Sequence, residues 1–220
     1  MIKIKAVLFD QDGVILDSQD THYRAERMIF DRNEIFFPEE EHKRLQGRNI
    51  RDIIDVAIKS QNVKKTSQEL VEEKRALWRE MAKKELKVFP GFYELIELLK
   101  KKYKIALTTS AGRITRDFIE SLFPEQKGIF DVEVTGDEVK NTKPDPEPYL
   151  LTASRLKLGP EECLVIEDAL NGIISAKRAG MKVIAITTSL EKEELEKENP
   201  DLIINSLKEI TLDLIESLER

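Results

Sequence analysis

Residues 6–14 decide the fold, and they read Ala6-Val7-Leu8-Phe9-Asp10-Gln11-Asp12-Gly13-Val14. The apolar run at the start predicts a short strand that is buried on both faces. Two carboxylates follow with one residue between them, and then a glycine at which the backbone can turn sharply. In an open parallel sheet, ligands bind beyond the carboxyl ends of the strands. Because Asp10 and Asp12 repel each other there, we expect a cation, a shared proton or solvent to offset their charge.

The composition limits the classes of protein to which this chain can belong. Its 220 residues suffice for one large domain or for a core with a smaller insert. The net charge of −6, with acids and bases interspersed, argues against a nucleic-acid partner. No apolar run approaches the roughly 18–20 residues of a membrane span. A single cysteine excludes an internal disulfide, and no signal-peptide pattern precedes the first strand. We expect a cytoplasmic protein, and a monomer.

The stretch from residue 18 to residue 87 shows helical patterns and no strand-like alternation. A helix of about 15 residues is predicted after Asp17, its expected N-cap. Apolar positions at helical spacing predict further helices around residues 50–58 and 70–81. From residue 88 onwards strands and helices alternate, and the last helix is predicted over residues 207–218.

This order predicts an α/β fold, in which a doubly wound parallel sheet core carries an inserted α-helical cap domain. Strands separated by helices form right-handed βαβ units, which place the sheet between two layers of helices. The first strand has to join this sheet, because a lone strand leaves its backbone groups unpaired. We therefore assign residues 1–15 and 89–220 to the core. Residues 16–88 are assigned to a cap that emerges beside the two acids and can close over them.

Three other strand ends carry polar side chains in place of ordinary loop residues. They are Thr109 and Ser110, Lys143, and the pair Glu167 and Asp168. Taken singly, each has an ordinary structural explanation: a turn, a helix cap or a solvated surface charge. Because the carboxyl ends of parallel strands share one edge of the sheet, we expect all of them to converge with the two acids of the first strand.

The combined set has a coherent chemistry. Carboxylates at this density favour a hard divalent cation, and Mg²⁺ characteristically binds through a few carboxylates and a phosphate oxygen. The lysine and the hydroxyl groups can bind the remaining phosphate oxygens. Asp10 is the better placed nucleophile and would form an aspartyl-phosphate, while Asp12 can protonate the leaving oxygen and then deprotonate water. The set therefore predicts a phosphoryl-transfer site.

In their order along the chain, these segments resemble the four motifs of the haloacid dehalogenase superfamily, and in particular its phosphatase and phosphomutase branch with a helical cap. The resemblance covers the whole chain and implies a Rossmann-like core. The implied phosphate ligands are Thr109, Ser110 and Lys143. The implied Mg²⁺ ligands are Asp10, the Asp12 carbonyl, Asp168 and, in some members, Glu167. The dehalogenases typically lack an acid at the position of Asp12, so its presence favours phosphate esters.

Two positions depart from the family's usual pattern. Gln11 stands where an apolar residue is usual, and strand alternation is expected to point its side chain away from the site. Thr142 stands where a glycine is common, and it is expected to leave the charge of its loop unchanged.

The cap holds the candidates for substrate recognition, which are His22, Gly47, Arg48 and Arg51. The cap resembles that of the β-phosphoglucomutases, in which an arginine a few residues after the glycine grips the distal phosphate. Arg48 and Arg51 flank the matching position, which holds Ile50. The alternatives are an exposed helix position for His22 and a solvated helix start for the two arginines.

We therefore expect a phosphatase that acts on a small phosphorylated metabolite such as a sugar phosphate, with no nucleic acid or membrane as partner. β-Phosphoglucomutase and phosphoglycolate phosphatase activities are the alternatives within the family. A phospho-receiver domain disagrees with the sequence, because such a domain has no cap and carries its acidic pair on the first strand and its phosphoacceptor on the third. Here the expected acceptor, Asp10, is on the first strand, and the acidic pair Glu167 and Asp168 comes late. A binding protein without catalysis would lack a motif residue, and none is missing here.

Overall fold

The computed structural model describes residues 3–219 and shows a sheet covered by helices, with a helical insert. The strands are β1 (Ala6–Phe9), β2 (Leu16–Asp17), β3 (Lys87–Val88), β4 (Lys104–Thr108), β5 (Val132–Val134), β6 (Cys163–Glu167), β7 (Lys182–Ile186) and β8 (Leu202–Ile204). The helices are α1 (Gln19–Arg32), α2 (Glu39–Leu45), α3 (Ile50–Ile58), α4 (Ser67–Glu85), α5 (Phe92–Leu99), α6 (Arg113–Leu122), α7 (Glu147–Leu156), α8 (Leu170–Arg178), α9 (Lys192–Leu195) and α10 (Leu212–Ser217). Short 3₁₀ turns cover Pro124–Gln126, Pro160–Glu162, Glu196–Glu198 and Leu207–Glu209. Met1, Ile2 and Arg220, which the predicted core boundaries include, lie outside the described residues.

Six of the strands form one parallel sheet in the order β5-β4-β1-β6-β7-β8. β1 lies near its centre, where Phe9 pairs with Leu107 of β4 on one side and with Ile166 of β6 on the other. The carboxyl ends of these three strands therefore meet at one edge of the sheet. This confirms the predicted parallel sheet and the place of the first strand inside it.

Helices cover both faces of this sheet. Val7 and Phe9 pack towards α5, where the ring of Phe92 meets that of Phe9 edge-on with centroids 5.9 Å apart. Ala6 and Leu8 pack towards α7 and α8 on the opposite face. Because the strand is covered on both sides, all four of its residues are apolar and buried, as the sequence predicts. The doubly wound α/β fold is confirmed.

Helices α1 to α4 form the inserted cap, which has an apolar cluster of its own around Phe30, Ile54 and Leu70. The two crossings between the core and the cap run side by side as an antiparallel ribbon of β2 and β3, in which Leu16 pairs with Val88. The helical cap is thus confirmed as part of the fold. The ribbon was not predicted, because two-residue strands are too short to show a period in the sequence.

Two helix boundaries differ from the prediction. Helix α1 begins at Gln19, so Asp17 is not its N-cap, because Asp17 belongs to the ribbon strand β2. The predicted helix over residues 207–218 is interrupted, and α10 begins only after Thr211. The hydroxyl of Thr211 accepts a hydrogen bond of 3.1 Å from a backbone N–H of α10, which is the usual start signal of a new helix.

The longest helix, α4, has 19 residues and carries charged side chains along its length. A membrane span needs about 20 predominantly apolar residues. Within residues 3–219, no helix is both long enough and apolar enough to cross a bilayer.

Candidate active site

The chain turns back sharply after β1, and Gly13 makes this turn possible. Its φ is +85°, and its N–H donates to the carbonyl of Leu16 at 2.8 Å. A Cβ at this position would collide with a carboxylate oxygen of Asp168 and lie 2.7 Å from the hydroxyl of Ser189. The absence of a side chain therefore allows the segments after β1 and β6 to approach each other.

Asp10, Glu167 and Asp168 form a buried cluster of carboxylates, because β1 and β6 are neighbours in the sheet. One oxygen of each lies within 4.8 Å of the others. Burial, together with repulsion from Glu167, raises the pKa of Asp168 well above its ordinary value. Burial also raises the pKa of Asp10, against the opposing attraction of Lys143. Such a cluster is unfavourable unless positive charge offsets it.

Lys143 brings a positive charge into this cluster. Its Nζ lies 2.6 Å from Oδ1 of Asp10 and 2.6 Å from Oε1 of Glu167, and it donates to the carbonyl of Thr108 at 3.2 Å. Burial lowers the pKa of this ammonium, but the attraction of the two carboxylates outweighs it and raises the pKa above its ordinary value. When all three carboxylates are ionised, one ammonium leaves two negative charges uncompensated, which is the charge that a divalent cation supplies.

The hydrogen bonds of Glu167 and Asp168 show which carboxylate is open to a cation. Oε1 of Glu167 accepts from Lys143 and from the hydroxyl of Tyr149 at 2.7 Å, and Oε2 accepts from two backbone N–H groups. Oδ1 of Asp168, by contrast, is buried and has no hydrogen-bond partner in the described part of the chain. An unpartnered buried carboxylate oxygen is costly, and hard divalent cations take such ligands. The residues present therefore fit a divalent cation that Asp168 contacts directly.

Strand β4 ends beside β1 and brings Thr109 and Ser110 to the same edge. Thr109 is buried, and its hydroxyl accepts a hydrogen bond of 3.0 Å from the N–H of Ala111. The hydroxyl of Ser110 donates to the carbonyl of Gly47 in the cap at 2.8 Å. The side chain of Asn49 donates in return to the carbonyl of Ser110 at 3.0 Å. The core residues that the sequence singled out thus lie together, and Ser110 connects them to the cap.

Asp12 lies at the surface of a cavity, and three donors surround its carboxylate. Oδ1 lies 2.6 Å from the hydroxyl of Ser18 and 3.2 Å from Nε2 of His22, and Oδ2 lies 3.4 Å from Nε2 of Gln11. Burial raises the pKa of Asp12, but the contacts with His22, Ser18 and Gln11 outweigh it and lower the pKa to about 2. The expectation that Gln11 points away from the site is therefore wrong. Strand β1 ends at Phe9, so strand alternation no longer governs the residues that follow.

His22 faces the core rather than solvent. Its ring is stacked on that of Trp78, with centroids 4.5 Å apart and planes 7° from parallel. Nδ1 lies 2.7 Å from the ammonium of Lys74, so Nδ1 accepts and Nε2 is the nitrogen that donates to Asp12. Lys74 is itself buried and pairs with Glu26 at 3.1 Å. An exposed helix position for His22 is thus excluded, and a chain of buried charges in the cap ends at Asp12.

The other cap candidates are placed differently from one another. Gly47 has a φ of +82° and lies against Ala169 of the core, where a Cβ would come within 2.8 Å of that side chain. Arg48 lines the cavity, 3.8 Å from Asp52, and its Nε is buried without a partner in residues 3–219. Arg51 is exposed, bonds Gln68 and is not part of the cavity surface. The structure therefore brings Gly47 and Arg48 to the site, but not Arg51.

The cavity between the core and the cap measures about 360 Å³. Side chains at its surface that the sequence reasoning did not single out include Gln19, Lys43, Lys74, Arg75 and Trp78. A signal existed for Lys74, because it falls between Leu70 and Leu77 on the apolar face of its helix. Gln19 and Arg75 carry no such signal, since a polar residue on a charged helix is ordinary.

The loop before Lys143 also contacts the cap. The hydroxyl of Thr142 donates to the carboxylate of Asp52 on α3. The expectation that Thr142 leaves the charge of its loop unchanged still stands, but the residue has a role that a glycine could not fill, since it connects this loop to the cap.

Comparison with known proteins points to one family. Residues 7–186 match the family described as haloacid dehalogenase-like hydrolase. A protein named phosphorylated carbohydrates phosphatase, from Thermotoga maritima, is 34% identical over 221 residues, which cover 94% of this chain and 100% of that protein.

Solved structures with the same fold include two proteins of related description. A putative β-phosphoglucomutase from Bacteroides vulgatus is 28% identical and has a TM-score of 0.86, with 100% of this chain and 91% of that chain covered. A mutant of CbbY from Rhodobacter sphaeroides, in complex with xylulose-(1,5)bisphosphate, is 25% identical and has a TM-score of 0.80, with 94% and 96% covered.

Proposed function

Since this chain belongs to the haloacid dehalogenase-like hydrolase family and is a phosphatase of that family, we propose that its substrate is the phosphate ester of a small metabolite. The simplest candidate is a sugar phosphate. The observation that carries the proposal is the buried cluster at the end of β1. There Lys143 contacts Asp10 and Glu167, while an oxygen of Asp168 has no partner among the described residues. A site of this composition suits a dianionic phosphate together with a divalent cation.

We propose Mg²⁺ as the cofactor, held by Asp10, the carbonyl of Asp12 and Asp168. The charge balance of the cluster and the unpartnered oxygen of Asp168 support this assignment. Glu167, whose oxygens are already occupied, would act instead by holding Lys143 in place. When bound, the cation would neutralise charge on the phosphate oxygens during transfer.

In the first step, a carboxylate oxygen of Asp10 would attack phosphorus and form an aspartyl-phosphate, while the ester bond breaks and the leaving oxygen takes a proton from Asp12. This step requires a protonated Asp12, so the hydrogen bonds from Ser18 and His22 have to loosen when substrate binds. In the second step, Asp12 would take a proton from water as the water oxygen attacks phosphorus, the bond between phosphorus and Asp10 breaks, and inorganic phosphate and the Asp10 carboxylate are released. The low pKa of Asp12 in the present arrangement favours the carboxylate that this second step needs.

Thr109, Ser110 and Lys143 are the proposed ligands of the transferred phosphate. Lys143 supplies the charge, and the two hydroxyls lie at the end of the neighbouring strand. Since the hydroxyl of Ser110 donates to Gly47 in the structure, a phosphate oxygen would compete with that cap carbonyl. Phosphate binding would therefore weaken this hydrogen bond between the core and the cap.

The cavity supports a small substrate. Its volume of about 360 Å³ lies near the lower end of the range of roughly 300–1,000 Å³ typical of small-molecule sites. Its surface carries both acids and bases, among them Glu26, Lys74 and Arg75, which suits a substrate rich in hydroxyl groups. The phosphatase from Thermotoga maritima, named for phosphorylated carbohydrates, supports the same substrate class.

Mutase activity is the second candidate, because the fold matches a structure described as a putative β-phosphoglucomutase over the whole chain. The deciding experiment incubates the protein and Mg²⁺ with a panel of phosphorylated sugars and other small phosphate esters. We expect release of inorganic phosphate. Isomerisation of β-glucose 1-phosphate with little phosphate release would overturn the phosphatase proposal in favour of the mutase.

We also propose residues 16–88 as the cap and residues 1–15 and 89–220 as the core. The ribbon of β2 and β3 at the two crossings supports this division. We also propose a monomer as the active unit.

A further inference from the structure

Gln19, the first residue of cap helix α1, reaches across to the core. Its Nε2 lies 3.0 Å from Oδ2 of Asp168 and 3.3 Å from the carbonyl oxygen of Asp12. Both acceptors belong to residues that are proposed to hold the cation. A single amide group of the cap thus contacts two parts of the proposed metal site.

The two oxygens of Asp168 have opposite surroundings. Oδ2 accepts hydrogen bonds from Gln19 and from the hydroxyl of Ser189. Oδ1 is buried and has no hydrogen-bond partner within residues 3–219. The two donors fix the rotation of the carboxylate and determine which oxygen remains available as a ligand.

Gln19 is suited to orient a ligand but not to replace the cation. An amide carries no net charge, so its hydrogen bond leaves the excess negative charge of the cluster in place. The carbonyl of Asp12 has two lone pairs, so it can accept from Gln19 and still bind a cation. Groups that hydrogen-bond a metal ligand in this way raise metal affinity by fixing the ligand's orientation.

We infer that Gln19 is a positioning residue through which the closed cap orients Asp168 for a divalent cation, so that metal binding and cap closure favour each other. This inference rests on the metal site of the proposed function. The coupling is reciprocal: if a closed cap raises the affinity for the metal, the metal raises the population of the closed cap by the same factor. The cap would then close more readily over a core that already holds its cation.

The test measures the dissociation constant for Mg²⁺ by calorimetry, without substrate, in the wild type, Gln19→Ala and Gln19→Met. Gln19→Met keeps the length of the side chain and removes its donor. Ser189→Ala removes the donor that the core supplies to the same oxygen. Gln68→Ala is the matched control, since Gln68 also lies in the first turn of a cap helix but, among the described residues, its side chain bonds only Glu72 and Arg51.

We expect the Mg²⁺ dissociation constant to rise about 10-fold in both Gln19 variants and in Ser189→Ala, in line with other losses of a group that supports a metal ligand. Gln68→Ala should stay within twofold of the wild type. Because no substrate is present, a role of Gln19 in substrate contact alone would leave the metal affinity unchanged.

Hydrogen exchange of α1 and of residues 44–49 gives the second readout. Saturating Mg²⁺ should increase protection of these cap segments in the wild type and in Ser189→Ala, but not in the Gln19 variants. Wild-type metal affinity in both Gln19 variants, or equal protection of the cap by Mg²⁺ in them, would overturn the inference while leaving the proposed phosphatase intact. Failure of the wild type to bind any divalent cation would overturn the metal site as well.

Discussion

The ammonium of Lys143 lies 2.6 Å from a carboxylate oxygen of Asp10, and its side chain is 1% exposed. Lys143 comes from the loop before α7 and Asp10 from the end of β1, so this ion pair joins parts of the chain that are 133 residues apart. The Lys143 ammonium also donates a hydrogen bond to Glu167. Removing one partner of such a buried pair leaves an uncompensated charge, and this costs far more than the loss of a surface ion pair.

Replacement of Lys143 by methionine should lower the free energy of unfolding by about 3–5 kcal/mol in metal-free buffer at pH 7, because Asp10 and Glu167 lose their counter-charge. Urea unfolding measures this change. Lys102→Met is the matched control, since Lys102 pairs with Glu216 at the surface, and its effect should be much smaller. Equal effects of the two substitutions would contradict the assignment of Lys143 as the charge that holds the cluster together.

Asp10→Asn should abolish turnover while the fold is retained. The amide has nearly the same shape and its oxygen can still accept from Lys143, but it is not a nucleophile. We expect phosphate release to fall by about 10³-fold or more. Phosphate release and the midpoint of thermal unfolding are to be measured on the same preparation. Substantial activity in a folded Asp10→Asn protein would rule out the aspartyl-phosphate.

The acid dependence of stability should have a contribution from Glu26 in the cap. Burial raises the pKa of Glu26, but the attraction of Lys74 and the hydrogen bond from His42 outweigh it and lower the pKa from 4.5 to about 2. Because the unfolded chain binds this proton more readily, the stabilisation is fully present above pH 4.5 and is lost as the pH falls towards about 2. The difference between these pKa values corresponds to on the order of 3 kcal/mol.

The substitution Glu26→Gln tests this contribution. It should destabilise the protein at pH 7 and have less than half of that effect at pH 3, measured by urea unfolding with the fluorescence of Trp78, the single tryptophan of the chain. Glu80→Gln, which changes an exposed carboxylate paired with Lys83, serves as the control and should alter stability little at either pH. A loss at pH 3 as large as that at pH 7 would show that Glu26 acts through packing rather than charge.

The two cap arginines should differ in their effect on substrate binding. Arg48 lines the cavity and has an unpartnered Nε within the described residues, whereas Arg51 is exposed and bonds Gln68. Loss of a charged hydrogen bond costs about 1.5–3 kcal/mol, so Arg48→Ala should raise KM about 10-fold or more. Arg51→Ala should leave KM within twofold. Steady-state kinetics with the best substrate of the panel measure both KM values. A larger increase in KM for Arg51→Ala than for Arg48→Ala would contradict the placement of both residues.

Much of the fold could be predicted from local pattern. The continuous apolar run of β1, the helical spacing around Ile54 and Leu70, and the alternation of strands and helices after residue 88 each form a local pattern typical of such elements. The features that were missed or placed wrongly depend on only a few residues. They include the ribbon of β2 and β3 and the start of α10 after Thr211. A two-residue strand has no period to read, and a single threonine can cap a helix or lie within one.

The core of the site could also be predicted, because strand ends in a parallel sheet have only one edge at which to meet. The cap side chains that face the site could not be predicted in this way, since the orientation of a helix about its axis depends on what it packs against. Gln11 illustrates the limit, because a turn after Phe9 brings its amide to Asp12 where strand alternation would have turned it away.

Local patterns in the sequence predict the order of the elements, the insertion of the cap, and the set of acids, hydroxyls and lysine that gather at the end of β1. These follow from period and from the position of each residue in its own element. Three features depend on the tertiary structure: which oxygen of Asp168 has no partner in the part of the chain that the structure describes, the hydrogen bonds to both oxygens of Glu167, and the placement of His22, Arg48 and Gln19 but not Arg51 at the cavity. Hydrogen-bond partners and burial depend on contacts between segments that are far apart in the chain, and local patterns in the sequence do not encode such contacts.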